Sequence, residues 1–437
     1  MEDIGCDELE SRLKDVLRRR PAPLDPTRIK DYVAGHLARR DAYLRMWEEH
    51  GRRPVFVLDR DALVDAAFRF REAFLARLAE VRFFYALKSN SHPEVAGTVA
   101  AEGFGLDVSS GLELRTALAA GAEEIVFSGP GKTEEELALA VAHADRTTVL
   151  MDSFGELERL SGLTSAQGCS IRAGVRLTPP LPGDWRKFGV PLLRLREFWQ
   201  AAEMSPFVRL EGIQFHTSWN MSAKAQVETI QALGEEIAGW PKWLSRQIRF
   251  LDIGGGFWPE RGEWLQDGAT DQGRLEGILR PGEPDWKKRY YVPADPLDRF
   301  ADALAEALRK WVFPTVRCRL CVEPGRWLCN DAMHLLLSVV DKKENDLVIT
   351  DAGTNAVGWE RFEQDYVPVV NLTRPSLTEH GCLVLGSLCT PRDVWGYSYW
   401  GGDIQFDDVL LIPDQGAYAY SLRQEFIKPV PKVVTGW

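Results

Sequence analysis

The chain has 437 residues, 45% of them apolar and 27% charged. That composition reads as soluble and globular, and the length exceeds one ordinary domain. A formal net charge of −11 disfavours nucleic acid or an anionic membrane as the main partner, and apolar runs stay short of the roughly 20 residues of a membrane span. The acidic start MEDIGCDELE lacks a secretory pattern, and the seven cysteines are scattered, so the expected location is the cytoplasm.

Residues 1–53 read as a charged helical segment, with ESRLKDVLRRR and DYVAGHLARRDAYLRMWEEHG as its runs. PVFVLD (54–59) opens a strand, and a rhythm follows. Short apolar strands are predicted at 82–87, 104–110, 124–129, 147–153, 171–177, 210–216, 249–255 and 318–324. Helix-like segments separate them, several with a capping residue or Pro at the start and Gly near the end. Strands alternating with helices in this way predict an α/β fold with a (β/α)8 TIM-like barrel over 54–325. A doubly wound open sheet is the alternative, but no G-x-G-x-x-G follows the first strand. Residues 258–293 break the rhythm with a polar, Trp-rich stretch, which reads equally as a lid or as a packed insertion. From 326 to 437 strand-like runs dominate and predict a C-terminal all-β domain. CRLC (318–321) lies inside a strand run. Side chains three apart on a strand face opposite ways, so Cys318 and Cys321 read as buried small residues rather than a metal or redox pair.

In such a barrel the active site forms at the C-terminal strand ends. Here those ends carry Lys88, Asp107 with Ser109, Ser128, Asp152, Arg176, His216, Gly254-Gly255-Gly256, and Glu323 with Arg326. Consecutive glycines let backbone N–H groups approach an anion, and barrel phosphate sites favour the loops after strands seven and eight. Lys88 alone would read as a lysine reaching for solvent. Beside a phosphate site, a partly desolvated amine suggests a nucleophile for an aldehyde cofactor with a phosphate handle, namely pyridoxal phosphate. Glu323 could hold the pyridine nitrogen protonated, or could pair with Arg326. Asp107, Arg176 and His216 could surround the ring.

YALKSN, GLDVSSGLEL, FSGPGKT, VRLTP, KFG, GIQFH, LDIGGGF, EPGR, GSLC and GAYAYS occur in that order over roughly 54–430. In this the chain resembles the fold-type III pyridoxal-phosphate decarboxylases, the diaminopimelate, ornithine and arginine decarboxylase group with an alanine racemase-like barrel. The resemblance implies that Lys88 carries the Schiff base and that His216 stacks on the ring. It implies that Gly254, Gly255, Gly256 and Arg326 hold the phosphate, that Glu323 meets the ring nitrogen, and that Tyr418 reaches the cofactor from the β domain. Cys389 would come from a neighbouring subunit and return a proton to Cα, which makes a homodimer the expected assembly. The N-terminal segment would join the β domain. A racemase of the same fold would put arginine in place of Glu323 and lack the Cys389 motif. A non-catalytic binding relative would have no need of Lys88, Glu323 and Cys389 together.

Two departures from the family pattern bear on substrate. The acidic residue that follows the cysteine in relatives is Thr390 here, with Arg392 and Asp393 further along in CTPRD. A distal ammonium loses its expected partner, so a neutral or anionic distal group is favoured. After His216 relatives commonly carry small residues with a serine near the phosphate, whereas the chain reads HTSWN, with Ser218, Trp219 and Asn220 in that loop, and bulky Trp219 either reshapes the phosphate cup or lines the substrate pocket. These features suggest decarboxylation of a modified amino acid such as a carboxylate-bearing siderophore intermediate. Diaminopimelate, ornithine or lysine remains the alternative.

Overall fold

The computed structural model describes residues 5–18, 20–179, 183–280, 285–358 and 365–436. Its elements fall into two compact units. One comprises 60–260 and 294–330; the other comprises 1–59, 261–293 and 331–437.

The first unit is a closed parallel barrel. Its strands are β1 (Val81–Ala86), β2 (Gly105–Val108), β3 (Ile125–Phe127), β4 (Thr147–Met151), β5 (Ile171–Arg176), β6 (Val208–Gln214), β7 (Phe250–Asp252) and β8 (Arg319–Val322). Each pairs with the next in sequence and β8 closes on β1. Parallel strands buried on both faces read as continuous apolar runs, which is why the sequence rhythm was visible. The barrel interior holds Phe84, Val126, Leu150, Phe250 and Cys321. Gly212 leaves room for one of these rings: a Cβ there would lie 2.0 Å from the Phe250 ring. Burial pushes the Cys321 thiol well up, as suits a small core residue.

Short β-to-α turns end in helix caps. Ser110 accepts from the Glu113 amide at 3.2 Å and Ser153 from the Glu156 amide at 3.1 Å. Thr133 and Glu136 form a reciprocal capping box. These caps satisfy amides that a helix start leaves without partners, so each helix begins close to the strand end it follows.

The second unit contains an eight-stranded sheet. Its order is Leu347–Thr350, Glu379–Leu385, Val394–Trp400, Val369–Asn371, Val409–Ile412, Met333–Glu344, Val55–Leu58 and Lys432–Thr435. The helices Pro26–Ala38 and Arg40–Glu49 pack here: Ile29, Val33, Tyr43, Met46 and Trp47 share a core with Leu336, Val370 and Leu411.

Two boundaries differ from the sequence expectation. The barrel expected over 54–325 begins with residues 54–59, yet Val55–Leu58 pairs with Met333–Glu344 on one side and Lys432–Thr435 on the other. All four of its residues are buried, and an apolar run of that kind does not reveal which sheet it enters. The stretch 258–293 is largely a packed part of the second unit. Glu263–Gln266, Arg289–Val292 and Ala22–Pro23 form a three-stranded antiparallel sheet, and Trp264 sits in the core. The Arg289 guanidinium is held by Glu379 at 2.5 and 3.1 Å and by the Ser398 hydroxyl at 2.8 Å. Residues 281–284 of this stretch lie outside the described residues. No helix among the described residues is long and apolar enough to cross a membrane.

Candidate active site

Strand β1 ends at Ala86 and passes into a single 3-10 turn, Leu87–Ser89. Leu87 and Ser89 are buried, while the Lys88 side chain keeps 35% exposure. The turn is tied down by the Tyr85 hydroxyl, which donates to the Asn90 carbonyl at 3.1 Å. Gly325 of EPGR packs over it; a Cβ there would lie 2.1 Å from Ser89 Oγ. Lys88 Nζ donates to Asp107 Oδ2 at 3.1 Å, and Ser128 Oγ donates to Asp107 Oδ1 at 2.5 Å. Ser109 Oγ lies 3.4 Å from Ser128 Oγ. The ends of β1, β2 and β3 therefore share one polar line. Burial and then the charge of Glu323 push the Asp107 carboxyl up, while the Lys88 ammonium pulls it back.

His216 follows β6 and Glu323 follows β8, the strand that closes on β1. The Gly255 amide donates to His216 Nδ1 at 3.2 Å, so the ring proton belongs on Nε2. Burial foremost, then the charges of Lys88 and Arg176, hold the imidazole well below its usual range and keep it neutral. Glu323 is buried; its Oε1 accepts from Gln214 Nε2 at 3.2 Å and its Oε2 lies 3.6 Å from His216 Nδ1. Oε2 has no donor among the described residues. At the remaining corner, Arg176 Nε and Asp152 Oδ1 are 4.0 Å apart, and both atoms are buried with no hydrogen-bond partner among the described residues. The Arg176 guanidinium lies 4.5 Å from the Phe188 ring centroid, in the KFG stretch.

The glycine run turns through positive φ at Gly254 (+66°) and Gly256 (+80°), a region open to glycine at little cost. A Cβ on Gly255 would lie 2.1 Å from the Glu323 carbonyl oxygen. Of the three amides, that of Gly254 donates to Asp252 Oδ1 at 2.9 Å and that of Gly255 to His216. The Gly256 amide has no acceptor among the described residues. The anion-cradling expectation for all three glycines therefore narrows to Gly256, because its neighbours orient Asp252 and His216 instead. Asn220 stitches this run to the loop after β6: its amide donates to the Gly256 carbonyl at 3.0 Å and its Nδ2 to the Gly255 carbonyl at 3.1 Å. Arg326 lies 4.4 Å over the Trp258 ring, which stacks on Trp219 at 6.2 Å and 27°. Trp219 is 65% exposed and has φ +52°, an uncommon backbone for a bulky residue.

The other predicted residues belong to the second unit. Cys389 is exposed, Thr390 half-buried and Arg392 exposed. Tyr418 has φ +66° and precedes the short helix Ala419–Leu422. Asp393 does not behave as a substrate contact. It is buried, and its carboxylate accepts from the Thr354 amide at 2.7 Å, the Thr354 hydroxyl at 3.0 Å and the Leu388 amide at 2.7 Å. Both oxygens are engaged within the protein, so this residue leaves the list of substrate-binding candidates.

Sequence reasoning did not single out Gln214, Asp252 or Trp258. The first two sit within apolar strand runs, where one polar letter draws no notice. The available signal was a buried-strand aspartate two residues ahead of a triple glycine.

Comparison with known proteins places this geometry in a family. Residues 63–330, more than half of the chain, match the family model described as pyridoxal-dependent decarboxylase, pyridoxal binding domain. A diaminopimelate decarboxylase of Campylobacter jejuni is 25% identical over 85% of this chain and 88% of its own length. A Staphylococcus aureus decarboxylase, named for a 2-hydroxybutanedioate bearing an (L-alanin-3-ylcarbamoyl)methyl group, is 23% identical over 81% of this chain and 87% of its own. The crystal structure of diaminopimelate decarboxylase from M. jannaschii, in complex with L-lysine, aligns with TM-score 0.76 at 22% identity. It covers 90% of this chain and 89% of that one, and it shares the fold.

Proposed function

The chain belongs to the pyridoxal-dependent decarboxylases, carboxy-lyases that use pyridoxal phosphate, and we propose that its substrate is a non-standard amino acid with a neutral or anionic distal group. The residues present fit the cofactor. Lys88 offers an amine and Glu323 Oε2 a buried acceptor with no donor among the described residues. His216 offers a neutral ring, and the Gly256 amide with Arg326 offers partners for a phosphate.

Bound pyridoxal phosphate supplies an electron sink for the bond to the departing carboxylate. In our reading Lys88 would hold the cofactor through its amine, and Asp107, 3.1 Å from Lys88 Nζ, would keep that amine at the site. Glu323 holds a proton at the ring nitrogen, and Gln214 fixes its orientation. His216, locked by the Gly255 amide, presents its face to the ring. Cys389 of the partner subunit returns a proton to Cα. Arg176 would line the edge of the ring. Trp219 shields the phosphate end through its stack with Trp258. Glu323 in place of arginine disfavours racemisation, and Lys88, Glu323 and Cys389 together disfavour a binding-only role.

The observation that carries the substrate proposal is the engagement of Asp393. With that carboxylate turned into its own loop, the stretch after Cys389 presents Thr390 and Arg392 and no acid. A distal ammonium would meet a cation rather than a carboxylate, and such like-charge juxtaposition costs several kcal/mol when desolvated. A distal carboxylate would meet Arg392. The Staphylococcus aureus relative, whose named substrate joins an amino acid to a hydroxy-dicarboxylate, supports a siderophore-type intermediate. Diaminopimelate is the second reading, favoured by the names of several relatives, since its distal carboxylate would also suit Arg392.

The test is carbon dioxide release by the purified, cofactor-loaded protein from a panel of amino acids. The proposal expects release from those whose side chains end in an amide-linked carboxylate. Efficient release from lysine or ornithine would overturn it, and efficient release from diaminopimelate would establish the second reading.

A further inference from the structure

Asp252 ends β7 and Glu323 follows β8, the strand beside it, where Asp252 pairs in register with Cys321. Both carboxyls are almost fully buried. Asp252 Oδ1 accepts from the Gly254 amide at 2.9 Å; Glu323 Oε1 accepts from Gln214. The other oxygen of each, Asp252 Oδ2 and Glu323 Oε2, is buried with no donor among the described residues. The nearby His216 Nδ1 cannot help, since it already accepts from the Gly255 amide. Two buried acceptors without donors cost free energy, and two full negative charges side by side cost more. One proton between them removes both penalties.

We propose that Asp252 is a positioning residue that stays protonated and donates its carboxyl proton to Glu323, leaving Glu323 as a single oriented carboxylate for the cofactor's ring nitrogen. This rests on the reading of Glu323 given above. A carboxylate has about four lone-pair sites, so Glu323 can accept from Gln214, from Asp252 and from the ring together. Burial first, then the charge of Glu323 and more weakly that of Asp107, push the Asp252 carboxyl well up, and a hydrogen bond to Glu323 adds to this, while the Gly254 amide opposes it. Cys321 faces the same group from β8, and burial keeps its thiol protonated. The neighbours therefore leave Asp252 as the proton carrier.

The test compares the full chain with Asp252→Asn and Asp252→Leu. Asparagine reproduces a protonated aspartate, since Oδ1 still accepts from Gly254 and Nδ2 donates to Glu323. Infrared spectra at neutral pH should show a protonated carboxylic acid band in the wild type that Asp252→Asn lacks. Loss of a carboxylate band instead, or failure of Asp252→Asn to fold, would overturn the inference. Thermal unfolding gives a second reading. A folded-state pKa raised above the unfolded value means that the native state binds the extra proton, so wild-type stability falls as pH rises past the unfolded value. Asp252→Asn should therefore gain in melting temperature over wild type as pH rises from 4 to 8, and a gap that stays flat contradicts the proposal. With ring-15N-labelled pyridoxal phosphate bound, Asp252→Asn should keep the protonated-nitrogen signal and Asp252→Leu should weaken it. If the infrared result holds while the nitrogen signal is the same in Asp252→Leu and in Glu323→Gln as in wild type, the fault lies with the role given to Glu323.

Discussion

Lys88 and Glu323 follow the neighbouring strands β1 and β8, and the roles proposed for them predict different failures. Lys88→Ala should abolish borohydride-stable attachment of pyridoxal phosphate, checked by mass mapping of the reduced peptide. Glu323→Gln should keep the cofactor while kcat falls roughly 100- to 1000-fold, the usual loss when one preorganised electrostatic partner is removed. Lys88, His216 and Glu323 were legible in the sequence because a charged letter at the end of an apolar strand has a known address in a barrel. Gln214 and Asp252 were hidden by the strands that contain them. Asp393 was misread because spacing along a chain does not show which way a side chain turns, and only the Thr354 and Leu388 contacts settle it.

Among the elements, the loop from Gly386 to Asp393 owes its shape to that inward carboxylate. Asp393→Ala would leave the buried Thr354 and Leu388 amides without acceptors, at about 1–3 kcal/mol each, and should lower the melting temperature measurably in calorimetry. The helices packed on the eight-stranded sheet carry a second signature. His36 and His334 stack edge to face at 5.1 Å, and burial lowers their pKa values to about 4 and about 3. Both stay neutral in the folded state, whereas the unfolded chain takes up protons below about 6.5. Stability should thus fall as pH drops from 6.5 through 4, by roughly 3 kcal/mol for each histidine. Asparagine at 334, which can still accept from the Asp414 amide now bonded to His334 Nδ1, should flatten that slope in melting curves. The barrel itself was readable from its strand–helix rhythm. The placement of Val55–Leu58 was not, since it is set by partners nearly 300 and 400 residues away in sequence.

For the whole molecule, the proposed homodimer makes a direct prediction. Lys88→Ala and Cys389→Ala variants, each inactive alone, should recover activity when mixed, because one site of each hybrid dimer keeps both residues. Random re-pairing would give about a quarter of wild-type activity, and no recovery would argue that each chain supplies its own cysteine. The preference for a distal carboxylate is measured most directly as kcat/KM for a matched pair: an amino acid ending in an amide-linked carboxylate, and lysine. Wild type should prefer the carboxylate, and Thr390→Asp with Arg392→Ala should shift the preference toward lysine. A wild-type preference for lysine would contradict it.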